Sequence, residues 1–199
     1  MKVVIFGATG GTGRHLVEQA YALGYEVTAF TRNPARLEPF EELEVVRGDV
    51  LDPAAVGRAV RGQDAVIIVL GDGNAKDSRV RSEGTANVVR AMLEHGVRRL
   101  IAVSSFGVGD SRKGLMAYAA WLFLREALLD HERQEEIIRN SGLDWTIVRP
   151  TGLTNEPRTG RYKVGTPGRG RIPRADVADF ILRELKENAY VHQARVLGS

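Results

Sequence analysis

Apolar and polar positions along the 199-residue chain follow two periods in alternation. Short unbroken apolar runs occur at 2–6 (KVVIF), 26–30 (EVTAF), 44–47 (EVVR), 64–70 (DAVIIVL), 98–104 (RRLIAVS) and 144–149 (DWTIVR). Between them, at 11–23, 53–61, 80–95, 115–141 and 174–187, apolar residues recur three and four positions apart, the spacing of one helix face. Runs without polar alternation suit strands covered on both sides. Repeated strand–helix–strand units with right-handed crossovers then predict an α/β fold, a doubly wound parallel sheet. Gly24, Gly62, Gly96 and Gly142 each stand just beyond a helical stretch as C-cap candidates. Asp52-Pro53 offers an N-cap followed by proline at the first helical position.

The loops at 71–79, 105–114 and 151–173 break this regularity and are rich in Gly, Asn, Asp and Arg. Each follows a strand, so all three gather at the carboxyl edge of the sheet, where open α/β folds bind ligands. With no separate substrate domain in prospect, residues 1–199 read as one domain whose acceptor pocket is open and built from these loops. Net charge is +3 and the isoelectric point about 9.4, without any block of five or six like charges, so no nucleic-acid partner is expected. Cysteine is absent, which removes thiolate chemistry and disulfides. His15, His95, His131 and His192 are scattered, so no metal site is expected. No apolar run reaches the roughly 18 residues of a membrane span, and the chain enters a strand at once, which predicts a cytoplasmic protein without a signal peptide.

The candidate chemistry begins at GATGGTG, directly after the first strand and opening a helix, the context that makes such a motif credible. Gly7 suits the tight turn, Gly10 lets backbone N–H groups approach a pyrophosphate, and Gly13 lets the helix pack close to the strands. The helix N-terminus adds partial positive charge where phosphates would lie. The fold then reads as single-domain and Rossmann-like. An enzyme preferring NAD places a carboxylate at the end of the second strand for the ribose 2′-OH; here Thr31-Arg32-Asn33-Pro34-Ala35-Arg36 holds none. Arg32 and Arg36 can instead pair with a 2′-phosphate, and Thr31 or Asn33 can donate a neutral bond, so the cofactor reads as NADP(H). Arg14 is a second-rank candidate for the phosphates and equally a surface residue. Asp49, in RGDVLD, is a candidate for the adenine amino group beside Val50 backbone, or a loop aspartate. Gly71 lets backbone pass close to the middle of the cofactor.

GATGGTG, TRNPARL, RGDVLD, SEGTANVVRAMLEHGVRRLIAVSS and DWTIVRPTGL together resemble the atypical short-chain dehydrogenase/reductases, the group of NmrA-like proteins and the biliverdin reductase B type of NADPH-dependent flavin reductases. The resemblance runs from Lys2 to about Asp179. It implies that Gly7, Thr9, Gly10, Gly11, Thr12 and Gly13 hold the pyrophosphate and that Arg32 and Arg36 hold the 2′-phosphate. Ser104 and Ser105 would sit by the nicotinamide, Ser105 in the catalytic position, and Pro150, Thr151 and Gly152 would border the ring. It also implies hydride transfer to a planar conjugated acceptor such as FMN, FAD, biliverdin or a quinone. The wider family's Tyr-x-x-x-Lys pair is missing: four residues after Tyr118 stands Leu122, and 115–141 contains no lysine. Alcohol or sugar-epimerase chemistry through Tyr118 is therefore a third reading, behind a non-enzymatic NADP(H) sensor that reports to a protein partner. His131 is a weak proton-donor candidate or a solvent-facing helix residue. Glu132, Glu135 and Glu136 alternate with Arg133 and Arg139 as an exposed salt-bridged face. Trp121 and Phe123 are core residues or the lining of a flat pocket.

Overall fold

The computed structural model describes residues 1–37, 43–71, 79–111, 125–165 and 170–198. The first half runs β1 (Lys2–Phe6), α1 (Gly11–Ala22), β2 (Glu26–Thr31), β3 (Glu44–Arg47), α2 (Pro53–Val60), β4 (Ala65–Ile68) and α3 (Val80–His95). The second runs β5 (Arg99–Val103), α4 (Arg125–Arg139), β6 (Asp144–Pro150), β7 (Leu153–Thr154), β8 (Lys163–Val164), β9 (Ile172–Pro173), α5 (Arg174–Glu187) and β10 (Gln193–Gly198). The main sheet has the order β3-β2-β1-β4-β5-β6-β10-β8. Its strands are parallel except β8, which pairs antiparallel with β10. β7 and β9 form a separate two-stranded ladder.

Successive strand residues feed two cores, because side chains alternate across a sheet. Val4, Phe6, Val66, Ile68, Leu100 and Ile147 point to the face covered by α2, α3 and α4. Val3, Ile5, Ala65, Ile67, Ile101 and Val148 point to the face covered by α1 and α5. This double burial is why the central strands read as continuous apolar runs. Gly24, Gly62, Gly96 and Gly142 all adopt left-handed backbone beyond their helices, and the Asp52 carboxylate accepts the Ala54 N–H at 2.9 Å.

Three expectations need correction. β3 is an exposed edge, with Val45 40% accessible; among the described strands it pairs with β2 alone, and Val46 packs against the core on one face. Residues 69 and 70 leave the β4 ladder, although the Val69 N–H still donates to the Phe6 carbonyl at 2.9 Å. β10 was not anticipated at all: QARVLG buries only its last three residues, too few to make a periodic signal. Of the helical stretch at 115–141, Arg125–Arg139 is helix; 112–124, with Tyr118, Trp121, Leu122 and Phe123, lies outside the described residues. No helix among the described residues is long and apolar enough to cross a membrane.

Candidate functional site

The turn between β1 and α1 is built by close backbone approach. Gly7 has φ +91°, and a side-chain carbon there would lie 2.5 Å from the Val69 carbonyl oxygen. The Gly10 N–H donates to the Gly7 carbonyl at 3.0 Å. A side chain at Gly13 would overlap that same carbonyl and the backbone of Ala8, so Gly13 packs α1 onto the turn itself, where the strands were the expected partner. Gly10 caps α1 without any side-chain hydrogen bond, and the first turn carries no acidic residue. The N–H groups at Gly11, Thr12 and Gly13 can therefore meet an anion without competition from a side-chain cap. Arg174, which sequence reasoning passed over, lays its side chain against Gly11 and donates to Asn155 Oδ1 at 2.8 Å.

In front of this turn lies a cleft of about 250 Å³ whose walls come from four successive strand ends. Gly7, Thr9 and Gly10 form one side, Phe30, Thr31, Arg32 and Arg36 the next, Gly48, Asp49 and Val50 a third, and Val69, Leu70 and Gly71 the last. Eight of the residues singled out for cofactor binding are thus brought together. Arg32 and Arg36 are exposed, and neither is ion-paired with a described residue. Thr31 is buried and its hydroxyl joins Thr9 at 3.2 Å while accepting the Asn33 N–H at 3.1 Å. It ties two loops together. Asp49 accepts the Leu51 N–H at 3.0 Å, as a loop aspartate does, and also borders the cleft. Gly71 lines the cleft, yet a side chain there would meet open space; close passage of backbone occurs at Gly7 instead.

The wall behind Val50 was missed. A side-chain carbon at Gly84, inside α3, would lie 2.7 Å from Val50 Cγ1 and 3.2 Å from Leu70 Cδ1. Asn87, one turn on, donates to the Val50 carbonyl at 3.0 Å. The one sequence signal was a glycine within a helix interior.

At the far end of the sheet edge, Ser104 follows β5, and Pro150 closes β6 before Thr151 and Gly152. Backbone bonds fix these ends: Ser104 N–H to Val148 at 2.8 Å, Phe106 N–H to Pro150 at 3.0 Å, and Thr151 N–H to Leu197 at 2.9 Å. Among the described residues the buried hydroxyls of Ser104 and Thr151 have no hydrogen-bond partner, which leaves both able to bond a ligand or water. The Ser105 hydroxyl instead donates to the Phe106 carbonyl at 3.1 Å. Gly152 lets the Arg171 side chain pack on it.

His131 does not face solvent. It is buried between α3 and α4, its Nδ1 3.1 Å from Gln134 Oε1. Burial, helped by the Arg81 charge, pushes its pKa down to about 4, so it is neutral at physiological pH and holds no proton to give as an acid. Its neighbour Asp130 accepts the Arg81 and Ser82 N–H groups at 3.2 Å each, capping α3 from another helix. Glu135, expected on an exposed face, is buried and grips Arg149 of β6 through two bonds of 2.8 and 2.7 Å. Arg149 also pairs with Asp110, which fixes the loop after β5, and that bond holds the Asp110 carboxyl below its ordinary range.

Residues 7–188 match a family described as NAD(P)H-binding. An uncharacterised chloroplastic protein of Arabidopsis thaliana is 32% identical over 92% of this chain and 71% of its own length. A protein of Bacillus subtilis named an uncharacterised sugar epimerase is 30% identical over 94% of this chain and 89% of its own. Among solved structures, an anaerobilin reductase from Escherichia coli O157:H7 superposes with a TM-score of 0.83 at 28% identity, covering 99% of this chain and 96% of that one.

Proposed function

Since the chain belongs to the NAD(P)H-binding family, we propose that it is an NADPH-dependent reductase of a flavin or another conjugated planar acceptor, such as a tetrapyrrole or quinone. The observation that carries the reading is the cleft itself, which joins an uncapped glycine turn to two exposed arginines that follow β2. A nicotinamide dinucleotide fits these residues: its pyrophosphate against Gly7, Gly10 and the first turn of α1, its 2′-phosphate between Arg32 and Arg36. The buried hydroxyls of Ser104 and Thr151, without a partner among the described residues, suit the polar substituent of a nicotinamide or the edge of an acceptor.

When bound, the reduced cofactor supplies a hydride. The chain orients the acceptor through the Ser104 hydroxyl, and a proton from solvent completes the two-electron reduction. Acceptors that spread charge over a conjugated system need no strong acid beside them. The anaerobilin reductase among the structural neighbours supports an acceptor of this class. The Bacillus relative's name favours a second reading, sugar epimerisation, against which stands Leu122 in the place of the family's lysine.

The test is NADPH oxidation with FMN, riboflavin, quinones and biliverdin. Turnover of at least one of them is expected, and Ser104→Ala should slow it. One hydrogen bond contributes about 1 kcal/mol in the ground state and more as charge develops, a several-fold to roughly hundredfold loss. Tight NADPH binding with no turnover of any acceptor would point to a sensor with a protein partner.

A further inference from the structure

We infer that Gly84 and Asn87 of α3 set the wall on which the adenine of the cofactor rests, and so act as positioning residues for it. The inference rests on reading the cleft as a dinucleotide site. SEGTANVV, the segment that contains both, contributes neither residue directly to the cleft, so its role must pass through something it touches.

A glycine inside a helix weakens it relative to alanine, so a close approach has to account for its presence here. At Gly84 the approach is to the two methyl groups of Val50, 2.7 and 2.9 Å from where a side-chain carbon would stand, and to Leu70 at 3.2 Å. Val50 is β-branched and stiff about χ1, so its methyls cannot swing aside. Val50 and Leu70 both line the cleft, and displacing either narrows it. In the same wall a side chain at Gly48 would meet the Phe30 ring at 2.7 Å and Ala55 at 2.8 Å. Asn87 holds the Val50 carbonyl at 3.0 Å, fixing how far the wall stands from α3. Phe30, Val50, Leu70 and Val80 together give the cleft an apolar lining, which suits a purine ring.

Adenosine 2′,5′-bisphosphate, which carries only the adenine half of NADPH, is the probe, with its Kd measured by titration calorimetry on folded protein. A misplaced methyl in a tight apolar site is worth roughly tenfold or more, so Gly84→Ala should weaken the probe by at least about that factor. Adding Val50→Ala should recover most of the loss, because it removes the methyls that were pushed. A melting temperature lowered by Gly84→Ala with Kd unchanged, or a weaker Kd that Val50→Ala does not recover, would overturn the inference. If Gly84→Ala does not fold, Asn87→Ala decides, since it adds no atom: several-fold weaker binding is expected, and unchanged binding overturns the inference. Failure of the wild type to bind either NADPH or the probe would instead dispose of the cofactor reading itself.

Discussion

Arg32 and Arg36 are exposed at the cleft, so a contact of either with a 2′-phosphate would be partly screened. A hydrogen bond to a charged group is worth roughly 1.5–3 kcal/mol when sheltered, and the exposed position puts these at the lower end. Arg32→Ala should therefore weaken NADPH about tenfold and leave NADH nearly unchanged in parallel titrations; equal losses would make it a mere surface charge. The glycines of the first turn separate by what a side chain would strike. At Gly10 the nearest atom is the Gly7 carbonyl at 3.2 Å, a contact that relaxes with a small shift. Gly10→Val should abolish cofactor binding with little change in the melting temperature of the protein alone. At Gly13 the same carbonyl is overrun, so Gly13→Ala strains the turn itself. A loss of about 2–3 kcal/mol, seen as roughly 5–10 °C in Tm, is expected there. Equal melting temperatures for the two variants would contradict this division.

The α3–α4 pair carries its own titration. His131 is enclosed by Arg81 from α3 and by Asp130, Gln134 and Glu135 on α4. Its folded-state pKa of about 4 lies below the 6.5 of an open histidine, so the unfolded chain takes up the proton first as pH falls. The stability involved is complete above pH 6.5 and is lost progressively down to about pH 4, by roughly 3 kcal/mol at most. Thermal melts across that window should show a steeper fall for the wild type than for His131→Asn, with the curves parallel at higher pH. Identical slopes would place His131 in contact with water. The helices at 11–23 and 80–95 were legible in their own apolar spacing. That spacing does not report the tertiary cap which Asp130 places on α3, because the two partners stand 48 and 49 residues apart.

Across the whole molecule, one buried ion pair joins pieces remote in the chain. Arg99 at the start of β5 donates to Glu184 near the end of α5 at 2.8 Å. Glu184 also accepts from Thr146 of β6 at 3.0 Å and from the Ala189 and Tyr190 N–H groups at 3.1 and 3.0 Å, which leads the chain into β10. Removing one partner of a buried pair strands the other charge and costs about 3–5 kcal/mol. Glu184→Leu should therefore lower Tm by roughly 10 °C. The double variant Arg99→Leu, Glu184→Leu should recover part of that loss, since no buried charge is left alone. A double variant less stable than the single one would show that the pair contributes more than the cost of its burial.

The placement of Gly7, Gly10 and Gly13 in the β1–α1 turn and of Arg32 and Arg36 after β2 was readable because it is local: a turn, a helix start and a strand end are written in consecutive residues. The doubly wound sheet was readable for a similar reason, since strands buried on both faces must be apolar throughout. Tertiary structure alone decided that β10 extends the sheet beside β6, that Glu135 turns inward to Arg149, and that His131 is buried and neutral. It also decided that Gly84 backs the wall of the cleft. In each case the partner lies in a distant part of the chain, and packing between helices or strands sets the contact, leaving no period or spacing in the sequence to announce it.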